Sequence, residues 1–173
     1  MGAAYSVEQF VQDVGSILNE QGETVEAVWS IGSRATRLVN EGGLLASMSS
    51  GVIHHDPAGR FVVMLAHFSP SHQTPVHSHE GWGVLCLLSG SDHYTSWRRL
   101  GGSEAGAARL ELLQEHNLEA GNLAYWFNEP HNIHRQSAGE KGCSELIVLK
   151  GQGRRLLHFD LEKGEAEIAP PRR

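Results

Sequence analysis

The feature that most constrains this chain is a change of hydrophobic period near residue 44. Before it, apolar residues recur at helical spacing. After it, they fall in short runs separated by turn residues. A helix carries its apolar stripe every three to four residues, whereas a strand sends alternate residues to opposite faces, so neither pattern can serve for the other. The sequence therefore predicts helices first and an all-β body after them.

Residues 6 to about 20 read as a helix. Ser6 and Gln9 form a capping box, and Phe10, Val11, Val14, Ile17 and Leu18 make one apolar face. Gln21-Gly22 ends it. A second helix starts at Thr24 and carries Val25, Val28, Trp29, Ala35, Leu38 and Val39 inward, with Gly42-Gly43 as its stop. These helices are expected to cover one outer face of the sheets.

The turn Asp56-Pro-Ala-Gly59 introduces the strand 61–68. Runs at 84–88 and 93–99 follow, with Gly90-Ser-Asp92 between them read as a hairpin turn and 101–106 as a flexible tip. Runs at 108–114, 122–127, 145–150 and 155–159 complete the set. Many short strands with regular turn signals predict a sandwich or barrel. The expected layout is one domain over 1–173: a helical cover at about 5–43, a barrel at about 44–160 and a loose tail at about 161–173.

Composition narrows the function. The net charge is −6 and no basic stripe occurs before Arg172-Arg173, which argues against nucleic acid. No apolar run is long enough to span a bilayer, and the first residues lack a secretory signal. Met1-Gly-Ala-Ala-Tyr-Ser6 fits a loose myristoylation pattern, although Ser6 has a better use as a cap. Cys86 and Cys143 form no CxxC pair, so two reduced thiols and a cytoplasmic location are expected.

Eleven histidines in 173 residues are the anomaly. In Thr74-Pro-Val-His-Ser-His-Glu-Gly-Trp-Gly83, His77 and His79 stand two apart in a strand-like setting, so both reach one face. Spacing alone is weak evidence, because chance gives about 0.7 such pairs in a chain this rich in histidine. The setting adds weight: Pro75 precedes the pair, Gly81-Trp-Gly83 follows it, and an apolar strand then runs to Gly90. Pro130-His-Asn-Ile-His-Arg135 offers a third ligand. His134 is favoured over His131, since Ile133-His134-Arg135 sits where a strand should resume.

These two stretches resemble the paired motifs of the cupin superfamily, with Gly121 to Pro130 leading to the later histidine. The place of the usual acid, seven residues before Gly90, holds Gly83. A cupin that keeps three histidines and lacks the acid resembles the cysteine dioxygenase family of thiol dioxygenases. Asp56-Pro-Ala-Gly-Arg-Phe61, Thr74 to His79, Trp82-Gly83 and the pair His134-Arg135 look like its bacterial branch. The resemblance implies a double-stranded β-helix (jelly-roll) barrel preceded by two α-helices, with His77, His79 and His134 binding Fe(II). It also implies a small-molecule substrate and O2 as partners, most simply a thiol oxidised to a sulfinate.

Two family features are missing. The Ser-x-His-x-Tyr run corresponds here to Ser144 to Gly151, without histidine or tyrosine. The Arg or Gln that binds a substrate carboxylate is replaced by Ser49-Ser50-Gly51. Tyr94 and Tyr125 are candidates to replace the lost tyrosine, Arg98 and Arg99 to anchor an anion, and Trp82 to wall the pocket. Glu80, Arg135 and Cys86 read as structural. Imidazole also suits other ions, so Zn, Ni or Mn stay open beside iron. Three further readings remain: an oxygenase cleaving a C–C bond of a chelating substrate, a metal- or ligand-binding cupin without turnover, and a zinc enzyme of the carbonic-anhydrase-like or isomerase kind. Open strand edges make a homodimer a candidate assembly.

Overall fold

A computed structural model describes residues 4–41, 48–102, 104–151 and 155–170. Helix α1 spans Val7–Gln21. Ser6 Oγ accepts from the Gln9 amide at 3.1 Å, and Gln9 Oε1 accepts from the Ser6 amide at 2.9 Å, so the capping box forms. Gly22, at φ 66°, closes the helix by donating to the Leu18 carbonyl. Phe10, Val14, Ile17 and Leu18 are buried; fully burying one such side chain is worth about 1.5–3 kcal/mol.

Helix α2 spans Val25–Glu41, and Thr24 Oγ1 caps the Ala27 amide. Its inward stripe is Ala27, Val28, Ile31, Ala35 and Leu38. Trp29 and Val25, expected to point inward, are 54% and 40% exposed. At 100° per residue Trp29 falls outside the stripe that Val28 and Ile31 define. The expected stop at Gly42-Gly43 lies outside the described residues.

Among the described residues ten strands follow: β1 (Gly51–His55), β2 (Phe61–Phe68), β3 (Val76–His79), β4 (Gly83–Arg99), β5 (Gly106–Ala107), β6 (Leu110–Glu119), β7 (Leu123–Trp126), β8 (Ile133–Lys150), β9 (Arg155–Asp160) and β10 (Glu165–Ile168). The antiparallel pair β4 and β8 runs through the whole barrel. The early part of β4 and the late part of β8 join β1, β2 and β7 in one sheet. The remaining parts join β3, β6, β9, β10 and β5 in the second. The fold is a two-sheeted all-β barrel with two N-terminal helices.

Gly90-Ser-Asp92 is not the expected hairpin. β4 passes through it with irregular register at Leu87/Ser89 and Gly90/Asp92. Gly90 (φ 78°) lies against Gly142 (φ 76°) of β8, and a Cβ on Gly90 would overlap the Gly142 carbonyl. Two left-handed glycines thus bend both strands together, which is the work of a bulge and not of a chain reversal. The expected loose tail is also partly ordered, because β10 pairs with β9.

Alternation along β2, β4 and β8 makes two apolar layers. Phe61, Val63, Leu65, Val84, Cys86, Leu146 and Val148 face the helices. Val62, Leu85, Leu87, Tyr94, Trp126, Ile147 and Leu149 face the barrel interior. A third cluster, around Trp97, Ile133 and Phe159, lies on the far side of the second sheet. The turn into β2 is tied to α1 by Arg60, which pairs with Asp56 at 2.8 Å and donates to Asn19 Oδ1 at 2.6 Å.

Candidate metal centre

Strand β3 is four residues long and lies between β8 and β9. His77 is directly opposite His134 of β8. Opposed residues share a face, and so do residues two apart. The three rings His77, His79 and His134 therefore converge on the interior. They are 1%, 5% and 1% exposed, and their ligand atoms lie within 4.8 Å of one another. Ser78 points the other way and accepts the Leu157 amide at 3.1 Å. His131 sits exposed in the turn before β8, its amide donating to the Asn128 carbonyl.

Several groups hold the rings. His77 Nδ1 lies 2.8 Å from the Pro75 carbonyl. A carbonyl only accepts, so Nδ1 carries the proton and Nε2 is presented to the cluster. Asn132 brackets His79: its side-chain amide donates to the His79 carbonyl at 2.6 Å, and its own carbonyl accepts the His79 amide at 3.2 Å. His158 of β9 stands opposite His77 on the other side.

The donor set fits a metal ion. His77 Nε2 and His79 Nε2 are 2.9 Å apart. Two nitrogens each about 2.1 Å from one ion would lie about 3.0–3.4 Å apart, so this pair is close enough to share one. Without the ion, the same contact serves as a hydrogen bond between the rings. Among the described residues no carboxylate joins these three within 4.8 Å.

Trp126 lies against two rings of the cluster. Its ring is 4.4 Å from that of His134 and 5.1 Å from that of His79. Trp126 stands opposite Gly83 in the β4–β7 pairing. A Cβ on Gly83 would overlap Trp126 Cζ2 and Cε2. Gly83 thus makes room for an indole. Trp82, expected to wall the pocket, packs instead in the layer beneath the helices. The sequence reading missed Trp126 and Asn132. The alternation in Leu123-Ala-Tyr-Trp126 held a signal, since Tyr125 and Trp126 must face opposite ways.

Tyr94 faces the interior, its ring 5.4 Å from that of His134, and its hydroxyl donates to the Tyr125 carbonyl at 3.3 Å. Burial, reinforced by Asp92 and Glu145, holds that hydroxyl well above the usual tyrosine range, so it stays protonated. Tyr125 points to the helices, where Gly32 leaves space for its hydroxyl. Arg98 is on the surface in an ion pair with Glu111. Arg99 is buried and donates to the Glu104 carbonyl at 2.6 Å. Arg135 lies over Trp97, Glu80 is exposed, and Cys86 faces the helices, its thiol pushed up to about 11 by burial. A groove of about 930 Å³ runs beside β3 along Thr74, Val76, Arg135, His158 and Asp160.

No protein-family model matches the chain, and no curated protein matches it. Solved structures do. One is a cupin superfamily protein from Desulfitobacterium hafniense, 14% identical over 63% of this chain and 88% of that one, with a TM-score of 0.45. Another is a protein with a double-stranded β-helix domain from Klebsiella pneumoniae, 18% identical over 65% of this chain and 84% of that one, TM-score 0.45. A third is an 11S globulin from Wrightia tinctoria, 11% identical over 56% of this chain, TM-score 0.44; this chain spans only 22% of that protein. Among the described residues no helix is long and apolar enough to cross a membrane.

Proposed function

We propose that this protein is a mononuclear non-heme Fe(II) dioxygenase of the thiol-dioxygenase type, oxidising a small thiol to a sulfinate. The observation that carries this reading is the converging set of three histidines, with Trp126 in the space of the missing acid. Held by three neutral imidazoles, a divalent iron keeps its full charge and supplies open positions for a small anion and for dioxygen. The net conversion, RS⁻ + O2 → RSO2⁻, forms two S–O bonds and breaks the O–O bond. Sulfur loses four electrons, dioxygen gains four, and no other co-reactant is needed.

The chain's own groups have distinct tasks. Pro75 fixes the His77 tautomer, and Asn132 fixes the backbone at His79. Trp126 covers two of the three rings and excludes water from them. The Tyr94 hydroxyl is a protonated donor at the edge of the site. The aromatic rings of Trp126 and Tyr94 beside the histidines suit an uncharged carbon skeleton on the thiol.

One observation favours a second reading, a cupin that binds metal without turnover: from Arg135 to Lys150, β8 contains neither histidine nor tyrosine. The deciding experiment is metal analysis of the purified protein, followed by oxygen uptake with panels of thiols, diones and diols. Iron and thiol-dependent uptake, both lost in His77→Ala and His134→Ala, are expected. Variants that keep metal and activity would overturn the proposal. Uptake with diones alone would point to C–C cleavage, and bound metal without any uptake to the second reading.

A further inference from the structure

A second group of metal-ligating side chains lies in the same interior, apart from the histidines. Asp92 of β4 and Cys143 and Glu145 of β8 bring ligand atoms within 4.8 Å of one another, all three buried. The bend at Gly90 and Gly142 brings them together: Gly90 pairs with Cys143, and Asp92 pairs across the bulge with Ala138. Cys143 and Glu145, two apart, share the inward face.

The group is far from satisfied by its own contacts. Glu145 is 0% exposed and Asp92 2%. The Gln136 amide donates to Glu145 Oε2, and the Cys143 thiol donates to Glu145 Oε1 at 3.6 Å. The Asp92 carboxylate has no side-chain partner, and the nearby Ser137 amide favours its charged form only weakly against burial. Leu87, Ala138 and Ile147 belong to the same apolar layer. Burial pushes Glu145 up to about 8 and Asp92 up to about 6, and drives the Cys143 thiol above its usual range. Without a counter-ion Glu145 and Cys143 keep their protons at neutral pH and Asp92 holds its own in weak acid; a bound cation reverses that preference.

We propose that Asp92, Cys143 and Glu145 form a second metal site for a thiophilic divalent cation of the zinc, cobalt or cadmium kind. One sulfur and two carboxylates suit such borderline ions and disfavour magnesium and calcium, which take oxygen alone. Binding displaces the protons held by the three groups, so it tightens as pH rises. Gln136 acts as a positioning residue, holding Glu145 toward the other two. The site shares no ligand with the histidine cluster, although Gln136 and His134 are neighbours on one face of β8.

The test is a Co(II) titration of the metal-free full chain under a thiol-free reductant. About two equivalents should bind, one of them with a thiolate-to-cobalt absorption in the near ultraviolet that histidines cannot produce. Cys143→Ser should lose that band and one equivalent, while Cys86→Ser keeps both. Asp92→Asn, which preserves shape, should weaken the band-forming ion by about 10- to 100-fold. His77→Ala with His134→Ala should lose the other equivalent and keep the band, so failure of the histidine reading is seen separately. A folded wild-type protein that shows no sulfur band, or a band that survives Cys143→Ser, overturns the proposal. The decisive reading comes from the wild type, so a poorly folded variant cannot hide the answer.

Discussion

The histidine cluster and the Asp92–Cys143–Glu145 cluster share one interior and strand β8, yet they meet burial in opposite ways. Imidazoles can be buried neutral beside Trp126 and Tyr94 at modest cost. Carboxyls and a thiol are buried either as acids or against a cation. An ion among three imidazoles would keep its charge for a substrate, whereas two carboxylates and a thiolate would outweigh a divalent charge. On the two proposals above, chemistry belongs to the first cluster and a structural or storage role to the second.

The comparison can be broken most directly at a ligand. His134→Ala should lower the affinity of the histidine site by more than about 100-fold, read by chelator competition, and leave the acid cluster untouched. Next comes the indole. Trp126→Ala should cost about 3–5 kcal/mol in urea unfolding, and Gly83→Ala about 1–3 kcal/mol through overlap with that ring. The double variant should cost less than the sum, because the clash disappears with the ring; strict additivity would separate Gly83 from Trp126.

The acid cluster is tested by pH. Glu145 titrates near 8 in the folded chain and near its ordinary value when unfolded. Its folded form therefore holds the proton longer, and metal-free stability should be greatest in acid and fall as pH rises toward 8. Glu145→Gln should flatten that fall by about 1–3 kcal/mol. Asp56, outside the barrel, should show the reverse. Hydrogen bonds from Arg60 lower it to about 2, so its contribution is present above its unfolded value and lost as pH falls toward 2. Asp56→Asn should cost about 1–2 kcal/mol near neutrality and converge with wild type at pH 2. The smallest change is the control: Trp29→Gln, exposed on α2, should stay within about 0.5 kcal/mol.

How much of this was legible follows from how far each contact reaches along the chain. The capping box at Ser6 and Gln9 and the shared face of His77 and His79 are local, and the sequence showed both. His134 was reachable through the spacing of a second motif, although only its pairing with His77 separates it from His131. The empty place at Gly83 was visible, but its occupant was not. Trp126 arrives through strand pairing with a residue distant in sequence, and no periodicity reports a partner strand. Gly90 was misread for a related reason. A glycine before polar residues marks a turn or a bulge equally well, and only the facing Gly142 decides. The acid cluster was invisible because its members look like ordinary surface residues until the same bend turns them inward.

That shared bend has a consequence for dividing the chain. Because β4 and β8 each contribute to both sheets, a cut at Gly90 or Gly142 would leave fragments that each hold parts of two sheets and the whole of neither. New termini there should prevent folding. Circular permutants opened at the β9–β10 turn, residues 161–164, interrupt neither long strand and should still assemble.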